Sequence, residues 1–420
     1  MAGFRFLHAA DVHLDSPLHG IARYEGIPVD EIRGATRAAF DNLVHFACNE
    51  AVDFLLLAGD LFDGEWKDMA TGLYFARAMA RLAEADIPVF MLAGNHDAAS
   101  VLTRQLPWPD NVRQFSSRRP ETHLLPHLNV AIHGQSFANA AVSDNLAAAY
   151  PEPIAHHFNI GLLHTALGGH EGHEPYAPCE AADLLAKHYD YWALGHVHEH
   201  RLVHDGPQHI VFPGNLQGRH IRETGPKGAV LVEVEDNMVA ALRHVPLDVL
   251  RWGRIDVDCS GIEKLEEIFS ATHAALARSH AVLADSRPLV ARIKLAGVTA
   301  AAGLLLDRQA QLRDEIRARA AAVAPDLWIE KVQLSVADPI VPAKADASED
   351  LAALLAEAID APDLATALAD EIGGFLTATA KAGRQADGDL AGLATDGHWQ
   401  ALLITAGAAL KARLHGEEAA

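Results

Sequence analysis

The sequence is poor in cysteine and in long apolar segments. Its three cysteines, Cys48, Cys179 and Cys259, form no CxxC pair and leave an odd count, which argues against a disulfide framework or a thiolate zinc site. No apolar run approaches the ~18 residues that span a bilayer, so we expect no membrane partner. Residues 1–10 predict a strand and lack the basic start and cleavage site of a signal peptide, so we expect a cytoplasmic protein.

Positive charge is scarce as well. The 420 residues include 34 Lys and Arg against 56 Asp and Glu, a net charge of −22, which repels nucleic acid unless a local or external positive charge reverses the field. Residues 1–250 hold 17 basic and 31 acidic residues and 21 of the 25 histidines. Carboxylates and imidazoles, the ligand types that hold divalent metals, are therefore concentrated together.

The alternation of short apolar runs with helical stretches predicts an α/β domain over residues 1–250. Strands are predicted at 4–9, 54–58, 89–93, 130–134, 160–164, 191–195 and 210–213, helices at 30–50 and 68–85, and a hairpin at 229–245. Residues 251–338 predict a second, smaller βαβαβ domain, whose last helix spans 302–323. Residues 339–420 predict a linker at 339–348 and helices at 351–361, 364–381 and 398–414, which either pack on this chain or bind a partner.

Four polar motifs follow predicted strands in order along the first domain. They are Asp11-Val12-His13, Gly59-Asp60-Leu61-Phe62-Asp63, Gly94-Asn95-His96-Asp97 and Gly195-His196-Val197-His198. One Gly-His-x-His motif has little specificity, but four motifs in order form a strong signal. Because ligands of open α/β sheets bind beyond the carboxyl ends of the strands, we expect the chemistry here.

The side chains of these motifs fit a centre of two metal ions. Hydrolysis of a phosphodiester requires charge neutralisation at the phosphate and a hydroxide at neutral pH, which two ions about 3.5 to 4 Å apart provide. Asp60, after a glycine at a tight strand exit, suits a bridging carboxylate. Asp11 and His13 then lie on one side of it, and the amide oxygen of Asn95 on the other. His164, which ends a predicted strand, is the best candidate for a further imidazole.

Strand alternation predicts how the paired ligands point. Side chains i and i+2 share one face of an extended segment, so Asp11 with His13, and His196 with His198, can each present two groups to one site. His8, within the first strand, is expected to be a buried histidine with satisfied hydrogen bonds, not a ligand.

His96 has a different predicted role from its neighbours. Beside Asn95 it can face the leaving-group oxygen as a general acid, or stabilise charge on the phosphate in the transition state. Asp63, three residues after Asp60, could hold the imidazole of His96 in orientation.

The ordered set resembles the calcineurin-like metallophosphoesterase superfamily. The family pattern D-x-H, G-D-x-x-D, G-N-H-(D/E), H and G-H-x-H is matched by Asp11/His13, Asp60/Asp63, Asn95/His96/Asp97, His164 and His196/His198. Within the superfamily the chain is most similar to bacterial DNA-repair exonucleases of the SbcD and YhaO type. The stretches LHTALGG at 163–169 and FPGNLQGRH at 212–220 resemble the YhaO-like branch, and the motif-bearing resemblance covers residues 4–235.

The resemblance implies a two-sheet β sandwich flanked by helices, followed by a small α/β capping domain and a helical tail. It implies DNA phosphodiester cleavage, as exonuclease or endonuclease, with two divalent ions, namely Mn²⁺. It also implies a homodimer and an SMC-like coiled-coil ATPase partner of the SbcC or YhaN type. The implied ligands are Asp11, His13, Asp60 and His198 for one ion and Asp60, Asn95, His164 and His196 for the other. Iron and zinc also suit such mixed ligands.

Several alternatives stay open at this point. The one basic stretch of the first domain contains Arg219, His220, Arg222 and Lys227, and is either a DNA phosphate contact or a charged hairpin. The metal site alone also fits a phosphodiesterase or phosphatase for a small nucleotide or phosphoprotein, or a scaffold subunit without turnover. The capping segment and tail favour the nuclease, and the intact set with His96 argues against the scaffold. Because two ions would leave residues 1–250 acidic, we expect this chain alone to bind DNA weakly.

Overall fold

The computed structural model describes residues 3–16, 29–63, 69–98, 108–168 and 176–339, with short stretches between 354 and 407. The chain divides into two compact units, Met1–Trp252 and Gly253–Ala420. Most of the predicted linker at 339–348 and of the three predicted C-terminal helices lies outside the described residues, although residues 363–371 are helical. Among the described residues, no helix has the length and apolar character needed to span a bilayer.

The first unit contains two six-stranded mixed sheets. The first sheet has the order β12-β11-β1-β2-β3-β4, with strands β1 (Phe4–Ala9), β2 (Phe54–Ala58), β3 (Val89–Leu92), β4 (Val112–Gln114), β11 (Gly228–Glu235) and β12 (Met238–Pro246). The second has the order β5-β6-β7-β8-β10-β9, with β5 (Glu121–Leu125), β6 (Val130–Gly134), β7 (Phe158–His164), β8 (Tyr191–Gly195), β9 (Arg201–His204) and β10 (His209–Phe212). Because β1 to β4 pair in parallel, as do β6, β7, β8 and β10, the carboxyl ends of the central strands share one edge in each sheet.

Helices cover the outer face of the first sheet. These are α1 (Val29–Asn49) and α2 (Ala70–Glu84), and α2 buries Phe75, Met79 and Leu82 at the spacing of one helical face. Two shorter helices, α3 (Asn95–Ala98) and α4 (Ala181–Leu185), follow β3 and precede β8. Strand β2 is buried at every position, as expected for a central strand covered on both faces.

Aromatic residues fill the space between the two sheets. Phe6 stacks on Phe54 with 4.9 Å between ring centroids, and Tyr191 from the second sheet makes an edge-to-face contact with Phe6 at a centroid distance of 5.3 Å. The sheets are in close contact at Gly195, where a Cβ atom would lie 1.9 Å from the carbonyl oxygen of Ala58. Only glycine fits this position, and it brings the ends of β2 and β8 into contact at the edge that carries the motifs.

The second unit is a small α/β structure. Its sheet has the order β13-β14-β15, with β13 (Arg251–Asp258), β14 (Leu289–Val298) and β15 (Leu327–Ala337), and its helices are α5 (Leu265–Leu283), α6 (Ala302–Asp307) and α7 (Gln309–Val323). The prediction of one helix over 302–323 was wrong, because Arg308 leaves helical geometry with φ −109° and ψ 38°. Leu305 and Leu312, one from each helix, are buried in the same core. Two mixed sheets with flanking helices and a further small α/β unit confirm the predicted fold class.

His8 is buried on β1 with both ring nitrogens satisfied, as expected. Its Nε2 donates to the carbonyl oxygen of Leu194 at 3.2 Å, and its Nδ1 lies 3.0 Å from the hydroxyl of Tyr191. Burial, partly offset by the hydrogen bond to Leu194, lowers the pKa of His8 to about 3.

This shift predicts that His8 makes the metal-free fold sensitive to acid. Below pH ~6.5 the unfolded chain binds a proton at His8 that the folded chain excludes, so the free energy of unfolding should fall by roughly 2 kcal/mol from this residue between pH 7 and pH 5. Urea unfolding in chelator should show a smaller loss between these pH values for His8→Gln than for the wild type. His127→Gln, at an exposed histidine, is the control. An equal loss in all three proteins would contradict the prediction.

Candidate metal centre

The predicted ligands meet at the carboxyl ends of the central strands of both sheets. Asp11 and His13 follow β1, Asp60 follows β2, and Asn95 follows β3. From the second sheet, His164 ends β7, and His196 and His198 follow β8. Three groups of side chains could hold a metal, because the donor atoms within each group all lie within 4.8 Å of one another. The groups are Asp11/His13/His198, His13/Asp60/His96 and Asp60/His164/His196.

The side of the site around His164 presents lone pairs and negative charge. The Nδ1 of His164 must carry a proton, because it lies 2.9 Å from the carbonyl oxygen of Ala58, which only accepts hydrogen bonds. In the neutral ring Nε2 then carries a lone pair, yet it faces Oδ1 of Asn95 at 3.0 Å and Oδ2 of Asp60 at 3.4 Å. These converging acceptors need a cation between them, either a proton on Nε2 or a metal ion.

The pKa shifts in this pocket also favour positive charge. Burial lowers the pKa of His164, but the charge of Asp60 and its hydrogen bond outweigh burial and raise that pKa to about 9. The pKa of Asp60 lies well below its usual range, because the imidazoles of His164 and His13 overcome the effect of burial. The pocket therefore holds an ionised carboxylate among imidazoles in a buried setting, as a metal site does.

The other side of the site is formed by Asp11, His13 and His198. The Nε2 atoms of His13 and His198 lie 3.2 Å apart, and Oδ1 of Asp11 lies 3.8 Å from Nε2 of His198. Burial and the positive charge of Arg219 lower the pKa of His13 to about 3, which keeps this imidazole neutral and able to offer a lone pair. Asp60 contacts both sides, since its Oδ2 lies 4.0 Å from Nε2 of His13.

The directions of these side chains are set by left-handed backbone conformations and not by strand alternation. Asp11, His13, Asp60 and His196 have φ angles of 50°, 47°, 50° and 101°, a region that non-glycine residues rarely adopt. The turn at His196 places its side chain with Asp60 and His164, while His198 lies with Asp11 and His13. Gly59, with φ +89°, permits the tight exit from β2, and a Cβ there would lie 2.5 Å from Nδ1 of His164.

His96 lies at the solvent-exposed side of the centre. Its side chain is 42% exposed, and its Nδ1 lies 2.9 Å from Oδ1 of Asp63. The hydrogen bond that His96 donates to Asp63 raises the pKa of His96 against the effect of burial. Ser16 donates to the other oxygen of Asp63 at 2.6 Å, so the carboxylate is held from both sides. The backbone N–H of His96 donates to Oδ1 of Asp60 at 3.0 Å, which ties the two loops together.

Two buried carboxylates support the centre without a role in the sequence-based predictions. Asp97 accepts three backbone N–H groups, from Leu61, Phe62 and Gly94, at 2.8 to 3.1 Å, and so joins the loops after β2 and β3. Glu223 accepts from Nδ1 of His198 at 2.7 Å. The position of Asp97 inside a motif could have indicated its role, whereas Glu223 lies 25 residues from His198 with no local pattern to mark it.

The basic stretch after β10 is largely turned inward. Nη1 of Arg219 lies 3.7 Å from Asp63 and its Nη2 lies 3.2 Å from Glu223, and the side chain is 14% exposed. Lys227 is buried and donates to the carbonyl oxygen of His198 at 2.6 Å. Of these residues, His220 and Arg222 are exposed. Two of the four basic residues therefore stabilise the site from inside.

Family models match both units of the chain. Residues 4–200 match the calcineurin-like phosphoesterase model. The chain thus contains a calcineurin-like metallophosphoesterase domain, a class of hydrolases that bind divalent metals. Residues 252–337 match the middle domain of metallophosphoesterase YhaO, so a YhaO-type middle domain follows it.

Curated relatives match this chain over most of its length. The metallophosphoesterase YhaO of Bacillus subtilis (strain 168) is 38% identical over 267 residues, 63% of this chain and 65% of the relative. This chain therefore spans just under two thirds of that relative's length. The DNA double-strand break repair protein Mre11 of Sulfurisphaera tokodaii is 25% identical over 304 residues, 67% of this chain and 74% of the relative. Mre11 of Sulfolobus acidocaldarius is 23% identical over 333 residues, 74% and 80% of the two chains. The resemblance inferred from the motifs is confirmed.

Proposed function

We propose that this protein is a metal-dependent nuclease that hydrolyses phosphodiester bonds of DNA at a two-metal centre. The observation that carries the proposal is the pair of donor groups, Asp11/His13/His198 and Asp60/His164/His196, that lie side by side with Asp60 between them. Two bound ions, which we take to be Mn²⁺, would neutralise phosphate charge and lower the pKa of a bound water. Asn95 adds a neutral oxygen to the second group.

In this proposal His96 transfers a proton at the leaving group. Its exposed ring can reach a phosphodiester above the centre, and its Nδ1–H donates to Asp63, which fixes the ring and leaves Nε2 to face the substrate. Asp63 is itself held by Ser16 and lies near Arg219. The same ring could instead stabilise charge on the phosphate, and the two roles are separated by an experiment described in the Discussion.

DNA is favoured as substrate by the relatives. Two of them are named as DNA double-strand break repair proteins, and the YhaO-type middle domain follows the catalytic domain as in the motif-based expectation. We further propose that the protein acts in the cytoplasm as a homodimer with an SMC-like coiled-coil ATPase of the SbcC or YhaN type. The acidic charge of −22 and the inward position of Arg219 and Lys227 favour a partner that supplies most of the attraction to DNA.

Three substrates offered in parallel test this function. The purified full-length chain, stripped of metal and reloaded with Mn²⁺, is incubated with labelled linear DNA, a chromogenic phosphodiester and a phosphomonoester. We expect cleavage of DNA and of the diester, and loss of both in chelator. Cleavage of monoesters alone would overturn the nuclease proposal in favour of a phosphatase acting on a small nucleotide or phosphoprotein. No turnover of any substrate by a fully loaded protein would indicate a scaffold subunit.

A further inference from the structure

Glu223 lies behind His198, on the segment between β10 and β11. It is 6% exposed, and its carboxylate is surrounded by N–H donors. Oε1 accepts from Nδ1 of His198 at 2.7 Å and from Nη2 of Arg219 at 3.2 Å. Oε2 accepts from the backbone N–H of Arg219 at 2.7 Å and from Nδ2 of Asn215 at 3.0 Å. The Nε2 of His220 lies 3.5 Å from Oε1.

This contact decides which nitrogen of His198 carries the proton. Nη2 of Arg219 also lies 3.3 Å from Nδ1 of His198, but a guanidinium only donates, and the shorter contact is to the carboxylate. The Nδ1 of His198 therefore donates to Glu223. In the neutral ring, Nε2 then offers its lone pair toward His13 and Asp11.

Only an ionised carboxylate satisfies this arrangement. Four donors point at its two oxygens, so the amide of a glutamine would set its own NH₂ group against at least one pair of donors. An aspartate, shorter by one methylene, would place its carboxylate oxygens farther from these donors. His164 and His198 are thus held differently, because His164 donates its Nδ1–H to the neutral carbonyl of Ala58.

The rest of the segment holds the backbone beside this contact. Nζ of Lys227 donates to the carbonyl oxygen of His198 at 2.6 Å, and the backbone N–H of Asn215 donates to the same oxygen at 3.4 Å. Arg219 spans from Glu223 to Asp63, the partner of His96. The ring and the main chain of His198 are therefore both fixed by residues 215–227.

From these contacts, and resting on the two-metal centre of the proposed function, we propose that Glu223 is a positioning residue for His198. It orients the ring, sets its tautomer, and thereby determines the affinity of the metal position formed by Asp11, His13 and His198. A carboxylate behind a ligating imidazole raises the basicity of the ligand, and its loss typically costs about 10- to 100-fold in metal affinity. The position around His164 does not depend on Glu223.

Metal titration of Glu223→Gln tests this inference. Metal-free full-length protein is titrated with Mn²⁺ by calorimetry, and metal retained after dialysis is counted. We expect two equivalents in the wild type, and in Glu223→Gln a loss of about 10- to 100-fold in affinity for one equivalent while the other is unchanged. Glu233→Gln, which removes an exposed glutamate from β11, is the matched control and should bind as the wild type does.

A second readout works without metal. Imidazole ¹⁵N NMR of the metal-free protein should show His198 protonated at Nδ1 in the wild type and a changed tautomer balance in Glu223→Gln. If Glu223→Gln does not fold, Glu223→Asp, which keeps a negative charge near Arg219, is expected to show the same loss at one position. Unchanged affinity for both equivalents, or equal loss at both, would overturn the inference. A wild type that binds no metal would overturn the proposed function, while the tautomer still tests the position of Glu223.

Discussion

Replacing Asp60 with alanine is expected to remove both metal equivalents and to lower phosphodiester cleavage by about 1,000-fold or more, which corresponds to roughly 4 kcal/mol of transition-state stabilisation. Asp60 is 2% exposed, and its Oδ2 lies 3.4 Å from Nε2 of His164 and 4.0 Å from Nε2 of His13. One side chain therefore contacts both donor groups, and its removal deprives each of its central negative charge. Metal analysis after dialysis and initial rates measure the two effects.

The chain offers a control matched to the backbone of Asp60. Asp86 is an exposed aspartate with φ 56°, close to the 50° of Asp60, so Asp86→Ala removes a carboxylate from the same left-handed conformation without touching the centre. We expect it to keep both metals and full activity. Retention of one equivalent at full occupancy by Asp60→Ala would show that Asp60 does not bridge.

Replacing His96 with alanine is expected to lower kcat by about 100- to 10,000-fold while both metals stay bound. The ring is 42% exposed and is tied to Asp63, so its loss leaves the other donors in place. His96 also belongs to one donor group, with His13 and Asp60. Loss of one metal equivalent in His96→Ala would therefore show that His96 is a ligand and not a proton donor.

Substrates with different leaving groups distinguish the two remaining roles of His96, general acid and stabilisation of charge on the phosphate. A nitrophenolate leaves without protonation, whereas the alkoxide of a nucleotide requires a proton. If His96 is a general acid, His96→Ala should affect a nitrophenyl diester far less than DNA. If it stabilises charge on the phosphate, both substrates should slow by a similar factor. His127→Ala, at an exposed histidine, should change neither rate.

Secondary-structure elements that are marked by a local pattern of apolar residues could be predicted from the sequence. Buried runs such as Phe54–Ala58 and Tyr191–Gly195 are continuous apolar strands between turn residues, and their bounds agree with the structure. Strand β5 (Glu121–Leu125) was not predicted, because it is short and its first four residues lie at a half-exposed edge. The break at Arg308 was also missed, since helical periodicity continues across it.

In the candidate site, too, residues in local motifs could be predicted, whereas roles that depend on contacts distant in the sequence could not. Its polar residues could be found because each follows an apolar strand, and the resemblance implied their two groups, but the φ angle of 101° at His196 has no signal in the sequence. Glu223 gave no local signal, and the role of Lys227 was missed, because both roles arise from contact with His198, which lies more than 20 residues earlier. A basic stretch in the sequence carries no information on whether carboxylates elsewhere in the chain will enclose it, as Asp63 and Glu223 enclose Arg219.

Each donor group that we assign to an ion draws on both sheets. Asp11 and His13 from the first sheet meet His198 from the second, and Asp60 from the first meets His164 from the second. Neither sheet alone can therefore supply all the ligands of one ion. An ion bound at this edge links the two sheets. Metal binding and contact between the sheets are therefore coupled, so metal should stabilise the packing of one sheet on the other.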